Sequence, residues 1–332
     1  MASRAASPRA VVVVRAPLVA TARSYRDTDD LTNDVQLVQV AVMSPAPGTP
    51  SKAVLVTGCS SGIGPATAQR LAERDWTVYA TARKPETIAD LEAAGCRTLA
   101  LDVNDEASMA AAVATIEAEH GAVGVLINNA GYSQSGAIES VGIDEVRRQF
   151  ETNVFGLVRL TQLVLPGMRA QQFGKIVNVS SMGANFTFPG GGFYHATKYA
   201  LEAISDALRF EVKAFGIDVV VIQPGLIRTG FGDAAVASMG EETATDDGPY
   251  DAFNANVAEA THEVYEKGPL AKLGGGPEDV AKTIERAITT KRPKIRYRVT
   301  PSAHMLVAQR SLMTDSMWDM FLRTQFPQPG KD

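Results

Sequence analysis

Ser181, Tyr194 and Lys198 carry the residue types that this chain can use for acid–base chemistry. Tyr194 and Lys198 are four apart, so on a helix they share one face and their side chains can meet. An ammonium beside a phenol favours the phenolate and lowers the tyrosine pKa, which suits a general acid/base. A serine thirteen residues before the tyrosine, arriving from a strand end, is placed to hold a carbonyl oxygen at the same spot. Ser180 is its adjacent rival, and the spacing selects Ser181. Upstream, the apolar run Ala53-Val54-Leu55-Val56 leads into Thr57-Gly58-Cys59-Ser60-Ser61-Gly62-Ile63-Gly64. A buried strand, a Gly-rich turn and then a helix seat a dinucleotide pyrophosphate: glycines let backbone N–H groups approach, and the helix N-terminus offers partial positive charge.

The elements that must hold these residues follow from the pattern after Lys52, where apolar runs alternate with helical periodicity. That alternation predicts a parallel sheet covered on both faces. Strands are expected near 53–57, 76–81, 97–101, 123–127, 174–180, 217–222 and 294–299. Helices are expected at about 62–74, 86–94, 105–119, 143–171, 193–214 and 277–290. Pro65 is tolerated in the first turn of its helix, where the N–H has no intrahelical partner. The segment 193–214 carries Ala196, Ala200, Leu201, Ile204, Leu208 and Val212 at mainly three- and four-residue steps, as an amphipathic helix does.

The end of the second strand, Ala82-Arg83-Lys84, bears on cofactor choice. Dinucleotide folds that prefer NAD place an acid there for the ribose 2′-OH. Arg83 instead suits a 2′-phosphate, with Ser61 adding a hydroxyl, so NADP(H) is the expected cofactor.

In order along the chain come the 57–64 turn, Asp102-Val103, Asn128-Asn129-Ala130-Gly131, Asn153, Ser181-Tyr194-Lys198 and Pro224-Gly225-Leu226-Ile227-Arg228-Thr229. This series resembles the short-chain dehydrogenase/reductase family, in its small single-domain branch, over roughly residues 52 to 300. The Val-Tyr-Ala-Thr-x-Arg strand also resembles members related to 17β-hydroxysteroid and retinol dehydrogenases. The resemblance implies an α/β single-domain Rossmann fold with a doubly wound, seven-stranded parallel sheet. It implies a cofactor site of Gly58, Ser60, Ser61, Gly62, Ile63, Gly64, Arg83, Asp102, Val103, Asn129, Ala130 and Gly131, with Tyr194, Lys198, Pro224, Gly225, Ile227 and Thr229 around the nicotinamide. It further implies that Tyr194 exchanges the proton, Lys198 lowers its pKa and holds the nicotinamide ribose, Ser181 holds the substrate oxygen, and Asn153 kinks its helix and supports a water relay to the lysine.

Residues 1–50 read as a disordered or artefactual extension, with Arg4, Arg9, Arg15, Arg23 and Arg26 before the first acid and a Pro/Gly/Ser linker that builds no core. An Arg-rich, acid-poor start is also the composition of an organellar transit peptide. Residues 51–300 form the expected catalytic domain, within which 230–273 reads as a substrate lid, and 301–332 as a C-terminal helical tail. Hydrophobic content of 45% supports a sizeable core, and a net charge of −5 gives no reason to expect nucleic-acid binding. Cys59 and Cys96 fit a reduced cytoplasmic setting, the four histidines are too scattered for zinc, and no apolar run is long enough to span a bilayer. The family resemblance implies a homodimer or homotetramer.

Phe186, Phe188, Phe193 and Phe231 favour a bulky apolar ketone or alcohol, steroid-like or retinoid-like, and Arg228 is the nearest cation for an acidic substrate group. Alternatives are a non-catalytic NADP-binding sensor or scaffold, which usually loses the tyrosine or lysine, and a same-fold epimerase or dehydratase, which tends to carry a longer C-terminal domain.

Overall fold

Short apolar runs buried on both sides become the central strands of the computed structural model, which describes residues 49–239, 248–266 and 270–329. These residues belong to one compact unit, Ser44–Asp332. The strands β1 (Ala53–Val56), β2 (Thr77–Ala82), β3 (Arg97–Ala100), β4 (Val125–Asn128), β5 (Gly174–Val179), β6 (Ile217–Pro224) and β7 (Arg296–Val299) are all parallel, in the order β3-β2-β1-β4-β5-β6-β7. The helices are α1 (Ile63–Ala72), α2 (Asp90–Ala93), α3 (Glu106–His120), α4 (Ile143–Phe150), α5 (Gly156–Ala170), α6 (Gly192–Val212), α7 (Phe231–Ala237), α8 (Asp251–Glu266), α9 (Pro277–Thr289), α10 (Pro301–Leu312) and α11 (Asp315–Arg323). This is the doubly wound, seven-stranded α/β sheet expected from the sequence.

Strand alternation divides the core in two. Val54 and Val56 join Val125, Ile127, Val177 and Ile222 against α1 and α9, through Leu71 and Ile284. Ala53 and Leu55 face the other way, with Leu126, Ile176 and Val219, against α3 and α5, through Ile116 and Leu160. Each such side chain, fully buried, contributes roughly 1.5–3 kcal/mol relative to exposure. The strand order reverses between β1 and β4, and a crevice opens there beyond the carboxyl ends of the strands.

Three elements differ from expectation. The helix predicted at 86–94 is a 3-10 turn, Pro85–Ile88, followed by the short α2, which halts at Gly95 with φ +88. The helix predicted at 143–171 is interrupted by a π-helical turn, Glu151–Phe155, at the place where the resemblance implies that Asn153 kinks it. The C-terminal tail divides into α10 and α11, with the Thr314 hydroxyl accepting from Met317 N–H to start the second. Within the expected lid stand α7, α8 and a 3-10 turn, Ala271–Leu273. Its acidic residues Glu241, Glu242, Asp246 and Asp247 lie outside the described residues, as does the expected extension up to residue 48. No helix among the described residues is long and apolar enough to cross a membrane.

Candidate active site

A cleft of about 620 Å³ sits at the crevice. Its floor is the turn after β1. Gly58 and Gly62 adopt φ +71 and +67, a region that L side chains rarely enter. A Cβ on Gly58 would lie 2.8 Å from Ala130 Cα, and one on Gly62 would lie 3.3 Å from the Thr229 methyl. The turn is braced by Thr57 and Asn129. Thr57 Oγ1 accepts from the N–H of Asn129 and of Ala130, both at 3.0 Å. Asn129 Nδ2 donates back to the carbonyls of Thr57 (2.9 Å) and Gly58 (3.0 Å). Asn129 lines the cleft, but its amide group is committed to the turn. Gly64 is buried beneath the turn and does not line the cleft, and a Cβ there would lie 2.2 Å from the Gly58 carbonyl oxygen. It lets the turn close on itself. Ser60, Ser61, Gly62 and Ile63 face the cleft at the N-terminus of α1, whose free N–H groups and dipole suit an anion. This shaped, glycine-permitted floor fits a dinucleotide pyrophosphate.

At one end of the cleft stand Arg83, exposed after β2, and Asp102 and Val103 after β3. The Asp102 carboxylate accepts from Asn104 N–H at 2.9 Å. Ala130, Gly131, Pro224, Gly225, Ile227 and Thr229 line the remainder.

At the other end Ser181, Tyr194 and Lys198 converge. Ser181 leaves β5 and caps the 3-10 turn Met182–Ala184, its Oγ accepting from Gly183 N–H at 3.0 Å. It is hydrogen-bonded to the Tyr194 phenol, whereas the hydroxyl of Ser180 is buried without a partner. Geometry therefore separates the two serines. Tyr194 and Lys198 share one face of α6. Lys198 is buried, and its Nζ donates to the Val179 carbonyl at 2.9 Å, 5.6 Å from the centre of the Tyr194 ring. Burial pushes the Tyr194 phenol up to about 12, opposed by the bond with Ser181. Burial pulls Lys198 down to about 8, opposed by the Glu202 carboxylate one turn further along α6. In the protein alone the Lys198 ammonium is turned to a carbonyl, and desolvation of the phenol outweighs its bond with Ser181.

Asn153 does not line the cleft. It lies buried in the π-turn behind Gly131, where its Oδ1 accepts from Tyr132 N–H (3.1 Å) and its Nδ2 donates to Tyr132 O (2.9 Å) and Thr197 Oγ1 (3.1 Å). It ties the β4 loop to the tyrosine-bearing helix. In this structure it positions neighbouring segments.

Tyr132, Arg148, Met182, Ala234 and Tyr265 line the cleft without having been singled out by the sequence. Tyr132 follows the glycine of the β4 motif and was the one with a signal. Phe186 and Phe188 correct the pocket reading. They pack on Trp318 of α11, with ring centroids 5.7 and 5.9 Å away, and neither lines the cleft. Phe193 and Arg228 are likewise outside it, whereas Phe231 lines it with its ring 5.4 Å from that of Tyr194. Cys59 and Cys96 are free thiols, and burial raises them to about 12 and about 11, so neither is a ready nucleophile.

Known proteins share this architecture. A 3-ketodihydrosphingosine reductase of Bacteroides thetaiotaomicron is 38% identical over 272 residues, covering 81% of this chain and 96% of its own. An NADPH-dependent 3-dehydrocapnine reductase of Ornithobacterium rhinotracheale is 35% identical, over 80% of this chain and 94% of its own. The crystal structure of a short-chain dehydrogenase from Streptomyces avermitilis superposes with a TM-score of 0.65 at 32% identity, covering 83% of this chain and 99% of that one. The family model described as short chain dehydrogenase matches residues 52–239. The chain belongs to the short-chain dehydrogenase family, nicotinamide-dependent oxidoreductases acting on small molecules.

Proposed function

We propose that the chain is an NADP(H)-dependent oxidoreductase that interconverts an apolar ketone or aldehyde with its alcohol. The carrying observation is one cleft lined at one end by Arg83 and at the other by Ser181, Tyr194 and Lys198. A guanidinium matches a 2′-phosphate, and the end of β2, Ala82-Arg83-Lys84, carries no carboxylate to favour the 2′-hydroxyl. Bound there, the nicotinamide supplies or accepts the hydride. Ser181 holds the substrate oxygen where charge develops. Tyr194, a phenol held protonated by burial, delivers the proton in reduction and takes it back in oxidation. Lys198 holds the nicotinamide ribose, and Asn153 keeps the β4 loop and α6 in register.

The substrate wall is apolar, with Met182, Phe231 and Ala234 facing the tyrosine, and α7 with α8 acts as its lid. Two relatives support the direction of reduction by their names, one of them specifying NADPH. The first of these points to a lipid-like ketone rather than a steroid or retinoid. A homodimer or homotetramer is proposed with it, supported by Phe155 and Phe210, which are 54% and 88% exposed. The test is NADPH consumption over lipid ketones, steroid ketones, retinal and small carbonyls, with NADH in parallel. Turnover on an apolar ketone with NADPH supports the reading; no turnover on any of these sinks it.

A further inference from the structure

Tyr265 stands on α8, yet it lines the same cleft as Ser181 and Tyr194. Its ring lies over Gly232 of α7, where an added Cβ would come within 3.2 Å of Tyr265 Cδ2. The residue before that glycine, Phe231, sets its ring 5.4 Å from that of Tyr194. The two helices therefore bring a second phenol over the reacting end of the cleft. Among the described residues its hydroxyl makes no hydrogen bond; it packs against an apolar cluster that includes Met182, and Phe231 and Ala234 line the same cleft. Burial raises its pKa, and Tyr194 adds to the rise. Ser181 and Tyr194 are occupied with one another and with the reacting oxygen. A phenol turned into an apolar cleft without a protein partner leaves its donor for a ligand.

We propose that Tyr265 is a specificity-determining residue whose phenol hydroxyl pairs with a second polar substituent on the carbon beside the substrate carbonyl, donating to a hydroxyl or accepting from an ammonium. The preferred substrate is then an apolar ketone that carries such a group. This rests on the reductase reading above.

The test compares a long-chain aliphatic ketone with its α-hydroxy and α-amino counterparts, at saturating NADPH, in the wild-type protein and in Tyr265→Phe. The variant keeps the ring over Gly232 and removes only the hydroxyl. The ratio of kcat/KM for the substituted ketones to that for the plain ketone is expected to fall about ten-fold or more. A smaller fall, including an equal loss on all three, overturns the assignment. Should the variant lose NADPH binding, inhibition of the wild-type protein decides instead. The vicinal diol is expected to inhibit more tightly than the plain alcohol, and equal inhibition overturns the assignment. Failure of the wild-type protein to reduce any of these ketones overturns the reductase reading and this inference with it. Turnover with an unchanged ratio overturns the inference alone.

Discussion

His195 Nδ1 lies 2.6 Å from the carbonyl oxygen of Gly183, so the residue after the proposed acid holds the loop that follows the proposed oxygen-binding serine. His195 Nε2 accepts from Phe188 N–H at 3.3 Å, which leaves the proton on Nδ1 to be donated to Gly183. One neutral imidazole thus closes the segment between Ser181 and Tyr194.

Burial holds the His195 pKa below its ordinary value. As pH falls below about 6.5, the unfolded chain takes up this proton first, so stability is full above that value and is lost progressively below it. His195→Leu leaves two backbone groups unpaired and is expected to cost about 1–3 kcal/mol at neutral pH. It should also flatten the loss on the acid side. Urea unfolding across a pH series measures both, and a variant with the wild-type slope would show that another group governs it.

Tyr194→Phe is expected to lower turnover by at least about 10²-fold while NADPH still binds. The phenol titrates at about 12, so the acid form persists through neutral pH. Oxidation of the alcohol, which needs the phenolate, should therefore climb with pH while reduction does not. Initial rates in both directions check the sign.

Lys198 loses its charge as pH rises through about 8 in the cofactor-free protein. NADPH affinity is expected to weaken above that pH, and Lys198→Met should remove the break. Fluorescence titration at successive pH values reads it.

Arg83→Leu is expected to raise the Kd for NADPH by roughly ten- to a hundred-fold, the worth of a charge-assisted hydrogen bond, with far less change for NADH. Equal weakening of both would remove the 2′-phosphate assignment.

Gly156→Ala sets two effects against each other. Helix propensity favours alanine by about 1 kcal/mol. At the start of α5, however, the new Cβ would lie 2.3 Å from the Val103 carbonyl oxygen, and forced overpacking typically costs about 1–3 kcal/mol. The overlap is with backbone that lines the cofactor cleft, so a lower Tm and weaker NADPH binding are expected together. Calorimetry with and without NADPH separates them.

The central strands were legible because burial on both faces turns them into apolar runs, as in Ala53–Val56 and Val125–Asn128. Tyr194 and Lys198 were legible because helical spacing alone places them on one face. Tyr265 was not: nothing local marks a tyrosine in α8 as a neighbour of one in α6, and only the packing of α8 on α7 brings it there. At Gly64 the sequence does not separate two roles, because the same residue serves close backbone packing and close ligand approach. Phe186 and Phe188 failed for a related reason, since an aromatic run reads alike whether it fills a core or walls a pocket.

The turn at Glu151–Phe155 falls where the resemblance implied a kink at Asn153, but its width was not legible because it depends on distant partners: Tyr132 and Thr197 hold Asn153, and the Val103 carbonyl leaves no room for a side chain at position 156. It also separates chain length from helical phase. Each residue of an α-helix adds roughly 100° of rotation, but a wide i→i+5 turn takes up one residue more than a regular turn does. The extra residue is stored at Glu151–Phe155 while the faces on either side stay in step, so Arg148 of α4 still meets the cleft and α5 keeps its seat on the sheet.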